Sequence, residues 1–310
     1  MTGASQTYIA PAAWPDTNRI GLGCMALTGL YGHVDISTAT ATVHAALDAG
    51  IDHFDTAELY GPFRNEELLA AALGPHADRV SIATKVGYRL RDGQIVGLDS
   101  RPASLRAAVE GSLKRLRRDR INLLYQHRPD PDVPVEEVVG AMSDLVREGK
   151  VRWLGLSATD ADTLRRAHAI HPIAAVQNEY SLLERGSAHD LLEAVEQIGS
   201  VFVAFSPLGR GRLIGPMVAP GARAADDYRR NDKRFTVDAI QAAQPIVDVV
   251  RAIGQERHID PAAVALAWLM AQHPAIRALP GARTPPQVRA VLAAQTVRLT
   301  VSDLERLSAS

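Results

Sequence analysis

Asp55 and Tyr60 lie five residues apart where a short apolar run passes into a polar loop, and both side chains suit acid–base chemistry. Lys85 and His127 stand at the equivalent point after the next two apolar runs. A tyrosine with its free pKa of about 10 exchanges a proton near neutral pH only with help. A nearby cation favours the tyrosinate, and a carboxylate can hold that cation in place. Together the four residues predict a proton-transfer site.

Each of these residues also has a structural interpretation. Asp55 and Lys85 could form a buried ion pair, and His127 could be a hydrogen-bonded core histidine. The chemical interpretation is favoured because four side chains of complementary chemistry stand at equivalent positions.

The composition predicts a globular protein with a large core and little net charge. Hydrophobic residues make up 46% of the 310 residues, and the formal net charge is −1. This balance provides no electrostatic footprint for nucleic acid or for an anionic membrane. Cys24 is the single cysteine, which rules out an internal disulfide and a cysteine-based metal site. We therefore expect no nucleic acid, membrane or metal as a partner.

The sequence also lacks localisation signals. Residues 1–19 show no basic segment followed by an apolar core, so we expect no secretory signal. No apolar run approaches the roughly 20 residues of a membrane-spanning helix. These features predict a cytoplasmic protein.

Short apolar runs alternate with amphipathic segments from end to end. The strand candidates are 20–25, 51–56, 80–86, 121–126, 152–157, 174–178, 201–205 and 276–280. Helical periodicity with start and stop signals is clearest in 37–50, 101–118 and 135–149. Such alternation requires parallel strands joined by crossover helices. Eight strands without an obvious linker predict an α/β fold, a (β/α)8 TIM barrel that forms a single domain over residues 1–310.

In such a barrel, side chains at the carboxyl ends of the strands converge on one mouth. Asp55, Lys85 and His127 end the second, third and fourth predicted strands, and Tyr60 lies in the loop after the second. The barrel is therefore expected to bring the four residues to one rim.

The segment 21–26 also fits the pattern G-x-G-x-x-A of a dinucleotide-binding turn. That turn needs a helix that opens within the motif and holds the pyrophosphate at its N-terminus. Here a loop-like stretch, 27–32, follows, and the helical pattern begins only near residue 37. We therefore do not expect a Rossmann turn.

The phrases FDTAELYG, ATK, LLYQHRPD, GLSA, VQNEYSLLER, AFSPLGRG and LPGART occur in this order over essentially the whole chain. At these residues the sequence closely resembles the aldo-keto reductase superfamily. NEELL and VGAMSDLVREGKVRWLGLS resemble its bacterial, plant and fungal branch with short loops. Seven separated motifs make this resemblance specific.

The resemblance implies an NAD(P)H-dependent oxidoreductase that reduces an aldehyde or ketone to the alcohol. Tyr60 would be the general acid that protonates the carbonyl oxygen, and Lys85, paired with Asp55, would lower the pKa of Tyr60. His127 would orient the carbonyl by a hydrogen bond and assist proton delivery. The hydride would come from C4 of a nicotinamide dinucleotide bound in an extended pose across the mouth.

The resemblance also implies cofactor contacts. Ser157 and Gln177 match positions that hydrogen-bond the nicotinamide carboxamide, and Phe205 replaces a stacking tyrosine while keeping the aromatic face. Arg283 would contact a 2′-phosphate, because a guanidinium binds phosphate bidentately. This predicts NADP(H), with NAD(H) not excluded. The other predicted cofactor-binding residues are Gly23, Cys24, Met25, Asp55, Ser206, Pro207, Leu208, Gly209, Arg210, Gly281 and Gln287.

Three positions depart from the family pattern. Ala158 stands where many relatives have Asn, and Val291 replaces an Asn that often meets the adenine. Pro216 falls near a point where relatives often carry a phosphate-binding Lys. Arg283 could also be a solvated surface arginine. The preference for NADPH over NADH therefore stays open.

Two other functions remain open on the sequence. Channel-associated subunits of the superfamily keep the fold and the nucleotide but serve mainly in assemblies, so a cofactor-sensing regulatory or partner protein is the alternative. An unrelated barrel lyase or isomerase is the other, because Gly209, Gly211 and Gly281 lie where such barrels bind phosphate.

The substrate is not identified beyond a small-molecule carbonyl. Specificity would come from the mouth loops 27–32, 88–98 and 209–236 and from Arg128. These segments mix Tyr, Arg and small residues, which predicts a modest polar and aromatic cavity. The oligomeric state is unknown.

Overall fold

The structure is a computed structural model, and it describes residues 18–186, 188–215 and 220–309. Strands and helices alternate through these residues. The strands are β1 (Leu22–Gly23), β2 (His53–Asp55), β3 (Ser81–Val86), β4 (Tyr88–Arg91), β5 (Gln94–Leu98), β6 (Ile121–Gln126), β7 (Val151–Ser157), β8 (Ile173–Glu179), β9 (Val201–Phe205) and β10 (Ile276–Leu279).

The helices cover the outside of the sheet. They are α1 (Ile36–Asp48), α2 (Arg64–Leu73), α3 (Pro102–Leu116), α4 (Val135–Arg147), α5 (Ala161–Ile170), α6 (Ala188–Ile198), α7 (Val237–Arg257), α8 (Pro261–Gln272), α9 (Pro285–Leu292) and α10 (Val301–Ala309). No helix in the described part of the chain is both long enough and apolar enough to cross a membrane.

Eight parallel strands of the described residues form a barrel in the order β1-β2-β3-β6-β7-β8-β9-β10. Parallel bridges join the first segment to the last and close it: Ile20 pairs with Ala278, and Gly23 pairs with Gly281. The amide of Gly23 donates to the carbonyl oxygen of Pro280 at 2.9 Å. The predicted (β/α)8 fold is confirmed, and each of the eight predicted strand segments contains an observed strand.

Local signals explain why the helices begin where they do. The Asp35 carboxylate accepts from the amide of Thr38 at 2.8 Å at the start of α1, and Asp160 accepts from Thr163 at 2.7 Å at the start of α5. These side-chain caps satisfy amides that have no partner within the helix. The helices predicted at 37–50, 101–118 and 135–149 are present, with ends shifted by one or two residues.

The segment 88–98, which the sequence assigned to the mouth loops, forms an antiparallel hairpin of β4 and β5. Its two-residue turn consists of Asp92 and Gly93, both with positive φ, 51° and 74°. This is the turn geometry whose twist matches paired strands, and the dipeptide Asp-Gly favours it. The hairpin therefore gives one side of the mouth a defined shape.

The interior of the barrel holds its own apolar cluster, separate from the layer between sheet and helices. It is formed by Ala83, Leu123, Tyr125, Trp153, Ala174, Ala175, Val203 and Leu279, against which Val201 packs. Residues two positions apart on a strand point to the same face of the sheet. The residues two positions beyond those of this cluster therefore also point into the barrel, at its mouth. The side chains at the mouth thus form the layer directly above this apolar cluster.

The space around Gly155 of β7 shows how tightly this interior is packed. An added Cβ at Gly155 would lie 2.5 Å from ring carbons of Tyr125 and 2.9 Å from the carbonyl oxygen of Ala175. We expect Gly155→Ala to lower the free energy of unfolding by about 1–3 kcal/mol, because overpacking forces neighbouring groups to move. Denaturant unfolding followed by circular dichroism measures this change.

The matched control is Gly140→Ala in α4, where an added Cβ meets nothing within 4 Å. Alanine has the higher helix propensity, so this variant should be as stable as the wild type or up to about 1 kcal/mol more stable. Equal stabilities for the two variants would contradict the tight interior at Gly155.

Candidate active site

Five polar or aromatic side chains form the layer above the interior cluster. Each lies two positions beyond a residue that fills the barrel: Lys85 beyond Ala83, His127 beyond Tyr125, Ser157 beyond Gly155, Gln177 beyond Ala175 and Phe205 beyond Val203. Strand alternation therefore points them all into the mouth. Asp55 joins them from the end of β2.

The Lys85 ammonium holds the centre of the site together. It forms an ion pair with Oδ1 of Asp55 and donates to the carbonyl oxygen of Thr56 at 2.9 Å and to the Tyr60 hydroxyl at 3.2 Å. Lys85 and Asp55 are 1% and 2% exposed. An ammonium has three N–H donors, and here each has one acceptor. Three of the four residues predicted to act together are therefore in direct contact.

The pKa of Tyr60 is raised above its usual value because burial disfavours the phenolate. The charge and the hydrogen bond of Lys85 pull it down, in the direction that the sequence analysis expected, while Asp55 pushes it up. Burial would lower the pKa of Lys85, but the charge of Asp55 and the hydrogen bonds to Asp55 and Tyr60 outweigh it, and the pKa is raised. Tyr60 is thus a protonated phenol beside a charged lysine at neutral pH.

His127 completes the predicted group through ring contacts. Its ring centroid is 5.8 Å from that of Tyr60 and 5.0 Å from that of Tyr88, both in edge-to-face geometry. Burial, with the charges of Lys85 and Arg128, holds the pKa of His127 well below its usual value. Nδ1 is enclosed without a hydrogen-bond partner among the described residues. His127 is therefore a neutral imidazole at physiological pH.

Gln177 touches the same group in a way that sequence reasoning missed. Its Nε2 donates to Oδ2 of Asp55 at 2.8 Å, so both carboxylate oxygens of Asp55 are occupied. The side-chain carbonyl oxygen of Gln177 remains an acceptor for an amide N–H. The position predicted to bind a carboxamide therefore also orients the carboxylate.

Ser157 and Phe205 line the other side of the mouth. Oγ of Ser157 accepts from Nη1 of Arg128 at 3.2 Å, and the Arg128 guanidinium lies 5.8 Å from the ring centroid of Phe205. Ala158 follows with φ of 55°, in the left-handed region. Asn tolerates that region better than Ala, which gives a conformational reason for the Asn that many relatives have here.

Comparison with known proteins identifies the family of this chain. The model of the Aldo/keto reductase family matches residues 19–310. A probable aldo-keto reductase 1 from Glycine max is 35% identical over 294 residues, which cover 94% of this chain and 85% of that protein. The chain belongs to the aldo-keto reductase family.

Two solved structures of this family show the same barrel. The glycerol dehydrogenase AKR11B4 from Gluconobacter oxydans is 32% identical, with a TM-score of 0.84, over 93% of this chain and 90% of that one. The aldo-keto reductase AKR11C1 from Bacillus halodurans in its holo form is 26% identical, with a TM-score of 0.75 and the same coverage.

Aldo-keto reductases are oxidoreductases that use nicotinamide cofactors and act on small carbonyl substrates. The alternative hypothesis of an unrelated barrel lyase or isomerase is therefore wrong. The segment 21–26 forms β1 and a 3-10 helix, Cys24–Thr28, and α1 begins only at Ile36, as expected of a site without a Rossmann turn.

Two segments predicted to bind the cofactor meet although they come from opposite ends of the chain. Gly23 pairs with Gly281, and a Cβ on Gly281 would stand 3.5 Å from the carbonyl oxygen of Gly23. The Cys24 thiol is fully buried and contacts the carbonyl oxygen of Leu22, so only the backbone of Cys24 can face the mouth. Met25 is half-buried beside it.

The segment 206–210 leaves β9 as a tight turn. The amide of Gly209 donates to the carbonyl oxygen of Ser206 at 2.8 Å, and Ser206 and Arg210 have positive φ, 50° and 58°. Such strained non-glycine residues are common at ligand sites. Pro207 and Leu208 are buried beneath the turn.

The Arg210 side chain is committed elsewhere. Its guanidinium bonds Glu179 at 3.2 Å and Asp232 at 2.9 Å, and Arg234 binds the same two carboxylates. These ion pairs fasten the segment 209–236 to the end of β8. Only the backbone of Arg210 is therefore left for a pyrophosphate.

Arg283 lies two residues after Gly281, beside the loop that contains Gly32 and His33. Nη2 donates to the carbonyl oxygens of Gly32 and His33 at 3.2 and 2.9 Å, and the Arg283 amide donates to the side chain of Gln287 at 2.8 Å. Arg283 is therefore a hydrogen-bonded side chain with Nε buried, and among the described residues Nη1 is the part of its guanidinium left for an anion. Val291 is 2% exposed and packs in the core, and Pro216 lies outside the described residues.

A buried acid behind Tyr60 was also missed. Glu58 accepts from the amide of Gly87 at 3.3 Å, at the base of the β4–β5 hairpin. Burial and the charge of Glu66, against the opposing charge of Arg115, raise the pKa of Glu58 to about 7. Glu66 is itself held by Arg115 at 2.6 Å. The sequence shows that Glu58 directly follows the motif Asp-Thr-Ala, but it does not show that Glu58 is buried.

Glu58→Gln should therefore change the pH dependence of stability. The carboxyl group ionises near pH 4.5 in the unfolded chain and near pH 7 in the folded one, so the wild type loses stability as pH rises between these values. Relative to the wild type, the variant should gain about 2 kcal/mol of unfolding free energy between about pH 5.5 and pH 8. Urea unfolding at the two pH values measures the difference.

Glu67→Gln is the control, since Glu67 lies on α2 and is exposed. It removes a carboxylate from the same region, and we expect no comparable pH-dependent gain. If Glu58→Gln behaves like Glu67→Gln, the buried acid does not titrate as stated.

Proposed function

We propose that this aldo-keto reductase reduces an aldehyde or ketone to the alcohol with NADPH, and that Asp55, Tyr60, Lys85 and His127 carry the proton transfer. The observation that supports this most directly is the Lys85 ammonium, which bonds both Asp55 and the hydroxyl of Tyr60. The reaction is reversible in principle.

The residues at the mouth fit a nicotinamide dinucleotide. The hydroxyl of Ser157 and the side-chain carbonyl of Gln177 suit the carboxamide, and the half-buried ring of Phe205 offers a stacking face. Gly23 and Gly281 pair where the barrel closes, two residues before Arg283. When bound, the cofactor supplies the hydride that reduces the carbonyl carbon.

Tyr60 donates the proton to the carbonyl oxygen. Lysine has no acceptor, so the hydroxyl oxygen of Tyr60 accepts from Lys85 while its own O–H points to another partner. That proton is free for the substrate oxygen. The O–H bond of Tyr60 breaks as the new O–H bond of the alcohol forms, and the resulting tyrosinate is stabilised by the adjacent ammonium.

His127 orients the carbonyl as a neutral hydrogen-bond donor. A neutral imidazole carries one N–H, and Nδ1 is enclosed, so we assign the donating role to Nε2. Its edge-to-face contacts with Tyr60 and Tyr88 fix the plane of the ring. The substrate oxygen would thus lie between the phenol and the imidazole.

Tyr60→Phe tests this assignment. The variant keeps the ring but loses the proton, so kcat for carbonyl reduction should fall by about 100-fold to 10,000-fold, the usual range for loss of a general acid. NADPH binding, followed by quenching of nucleotide fluorescence, should change little. Steady-state assays over a panel of aldehydes measure the rate.

Tyr180→Phe is the matched control, because it removes a buried phenol that packs on Phe202 and Trp268. Its activity should stay near that of the wild type. Near-normal rates for Tyr60→Phe would refute the proposed function. Tight NADPH binding by a wild type without turnover would support the alternative, a cofactor-sensing partner protein.

The preference for NADPH rests on Arg283. Arg283→Ala should weaken NADPH binding by about tenfold or more and leave NADH binding nearly unchanged, because only NADPH carries the 2′-phosphate. Fluorescence titration with each nucleotide gives both dissociation constants. Arg289→Ala, an exposed arginine of α9, is the control, and equal losses for both nucleotides at Arg283→Ala would rule out the phosphate contact.

A further inference from the structure

Arg128 follows His127 directly, and its guanidinium lies among the carboxyl ends of several strands. Nη1 donates to the carbonyl oxygen of His127 at 2.7 Å and to Oγ of Ser157 at 3.2 Å. The guanidinium carbon is 5.8 Å from the ring centroid of Phe205. The side chain therefore reaches from the end of β6 past the end of β7 towards β9, beside the reacting residues.

The charge of Arg128 has no carboxylate at ion-pair distance in residues 18–186, 188–215 and 220–309. Asp130 is the nearest acid in sequence, but its carboxylate accepts from the amides of Ser100 and Asp132 at 2.7 and 3.1 Å. In the same described residues, no hydrogen bond from Nε or Nη2 of Arg128 reaches a protein acceptor. The outer edge of the guanidinium is therefore available to a ligand.

Lys85, the cation of the proton-transfer group, is already neutralised. It is paired with Asp55, so Arg128 adds a positive charge beside a pair that carries none. Arg128 is close enough to contribute, after burial and Lys85, to the lowered pKa of His127. The reacting carbonyl and the Arg128 guanidinium would thus share one small region.

Arg128 also lines the inner end of an open cavity of about 1100 Å³ that runs from Phe205 outward to α5 and α6. The outer wall carries the acidic residues Asp160, Asp162, Glu184, Asp190 and Glu193 and one arginine, Arg165, while Glu179 is paired with Arg210 and Arg234. These carboxylates repel an anionic group further out. An anion on the substrate is therefore confined to the inner end, close to the carbonyl.

We propose that Arg128 is a substrate-selecting residue, and that the enzyme prefers short carbonyl compounds that carry an anionic oxygen group, a carboxylate or a phosphate. This inference rests on the proposed carbonyl reduction and deepens it. With Nη1 held by Ser157, the Nη2 and Nε edge of the guanidinium binds two oxygens of the anion side by side.

Matched pairs of substrates test the preference. Succinic semialdehyde and butanal share a four-carbon aldehyde chain and differ in the terminal carboxylate. Glyceraldehyde 3-phosphate and glyceraldehyde differ in the phosphate. We expect the wild type to have the higher kcat/KM for the anionic member of at least one pair, and the pair that responds identifies the anion.

Arg128→Met should lower kcat/KM for the preferred anionic substrate by about tenfold to 100-fold, mainly through KM, and change the neutral one much less. Calorimetric binding of succinate, which needs no turnover, should weaken in parallel if the carboxylate pair responds. Arg128→Lys should restore part of the preference, since it keeps the charge but loses the planar fork.

Arg165→Met is the control for general electrostatic attraction. Arg165 lies on α5 at the exposed outer end of the same cavity, so this variant loses the same charge without touching the inner end. Its kcat/KM for the anionic substrate should stay within about twofold of the wild type, because exposed charges are screened by salt.

Three results overturn the inference. Equal kcat/KM for the members of both pairs in the wild type would do so while leaving the proposed carbonyl reduction intact. Equal losses for anionic and neutral substrates in Arg128→Met would show that Arg128 only positions Ser157. Absence of reduction of all four aldehydes would overturn the inference, and lack of turnover over the wider aldehyde panel would remove the proposed function as well.

Discussion

The Lys85 ammonium is the group on which the mouth of this barrel depends. A buried charge is costly unless it is paired and fully hydrogen-bonded, and leaving such a charge without its partner costs about 3–5 kcal/mol. Asp55, the carbonyl oxygen of Thr56 and the hydroxyl of Tyr60 provide one acceptor for each N–H. This requirement fixes the end of β2 and its loop against β3. Tyr60 is one of these acceptors, and because its hydroxyl oxygen accepts from Lys85, its own O–H is not used in binding the ammonium.

The barrel makes this arrangement possible through the alternation of its strands. Ala83, Tyr125 and Val203 fill the interior, and the residues two positions further along each strand face the mouth. The register of the strands therefore determines both the packing of the core and the placement of the polar side chains at the mouth. A strand that slipped by one residue would bury Lys85 among apolar side chains, so the register that fills the barrel also positions the site.

The barrel could be predicted from the sequence because short apolar runs and amphipathic segments alternate with clear start and stop signals. The four residues at the mouth could be predicted because strand ends in a parallel barrel converge. The hairpin at 88–98 was missed although Asp92-Gly93 carried the signal, since its flanking residues lack a buried face. The contact of Gln177 with Asp55 joins residues 122 positions apart, so its partner emerges only when β2 and β8 face each other across the barrel.

Lys85 and Arg128 differ in a way that separates the proposed proton transfer from the proposed substrate selection. Lys85 is enclosed, and its three acceptors belong to Asp55, Thr56 and Tyr60. Arg128 is half-buried at the rim, and within the described part of the chain its hydrogen bonds to the protein come from Nη1. A change at the rim can therefore alter which carbonyl compounds bind while leaving the proton transfer intact. A change at Lys85 would disturb Asp55 and Tyr60 together, whatever the substrate.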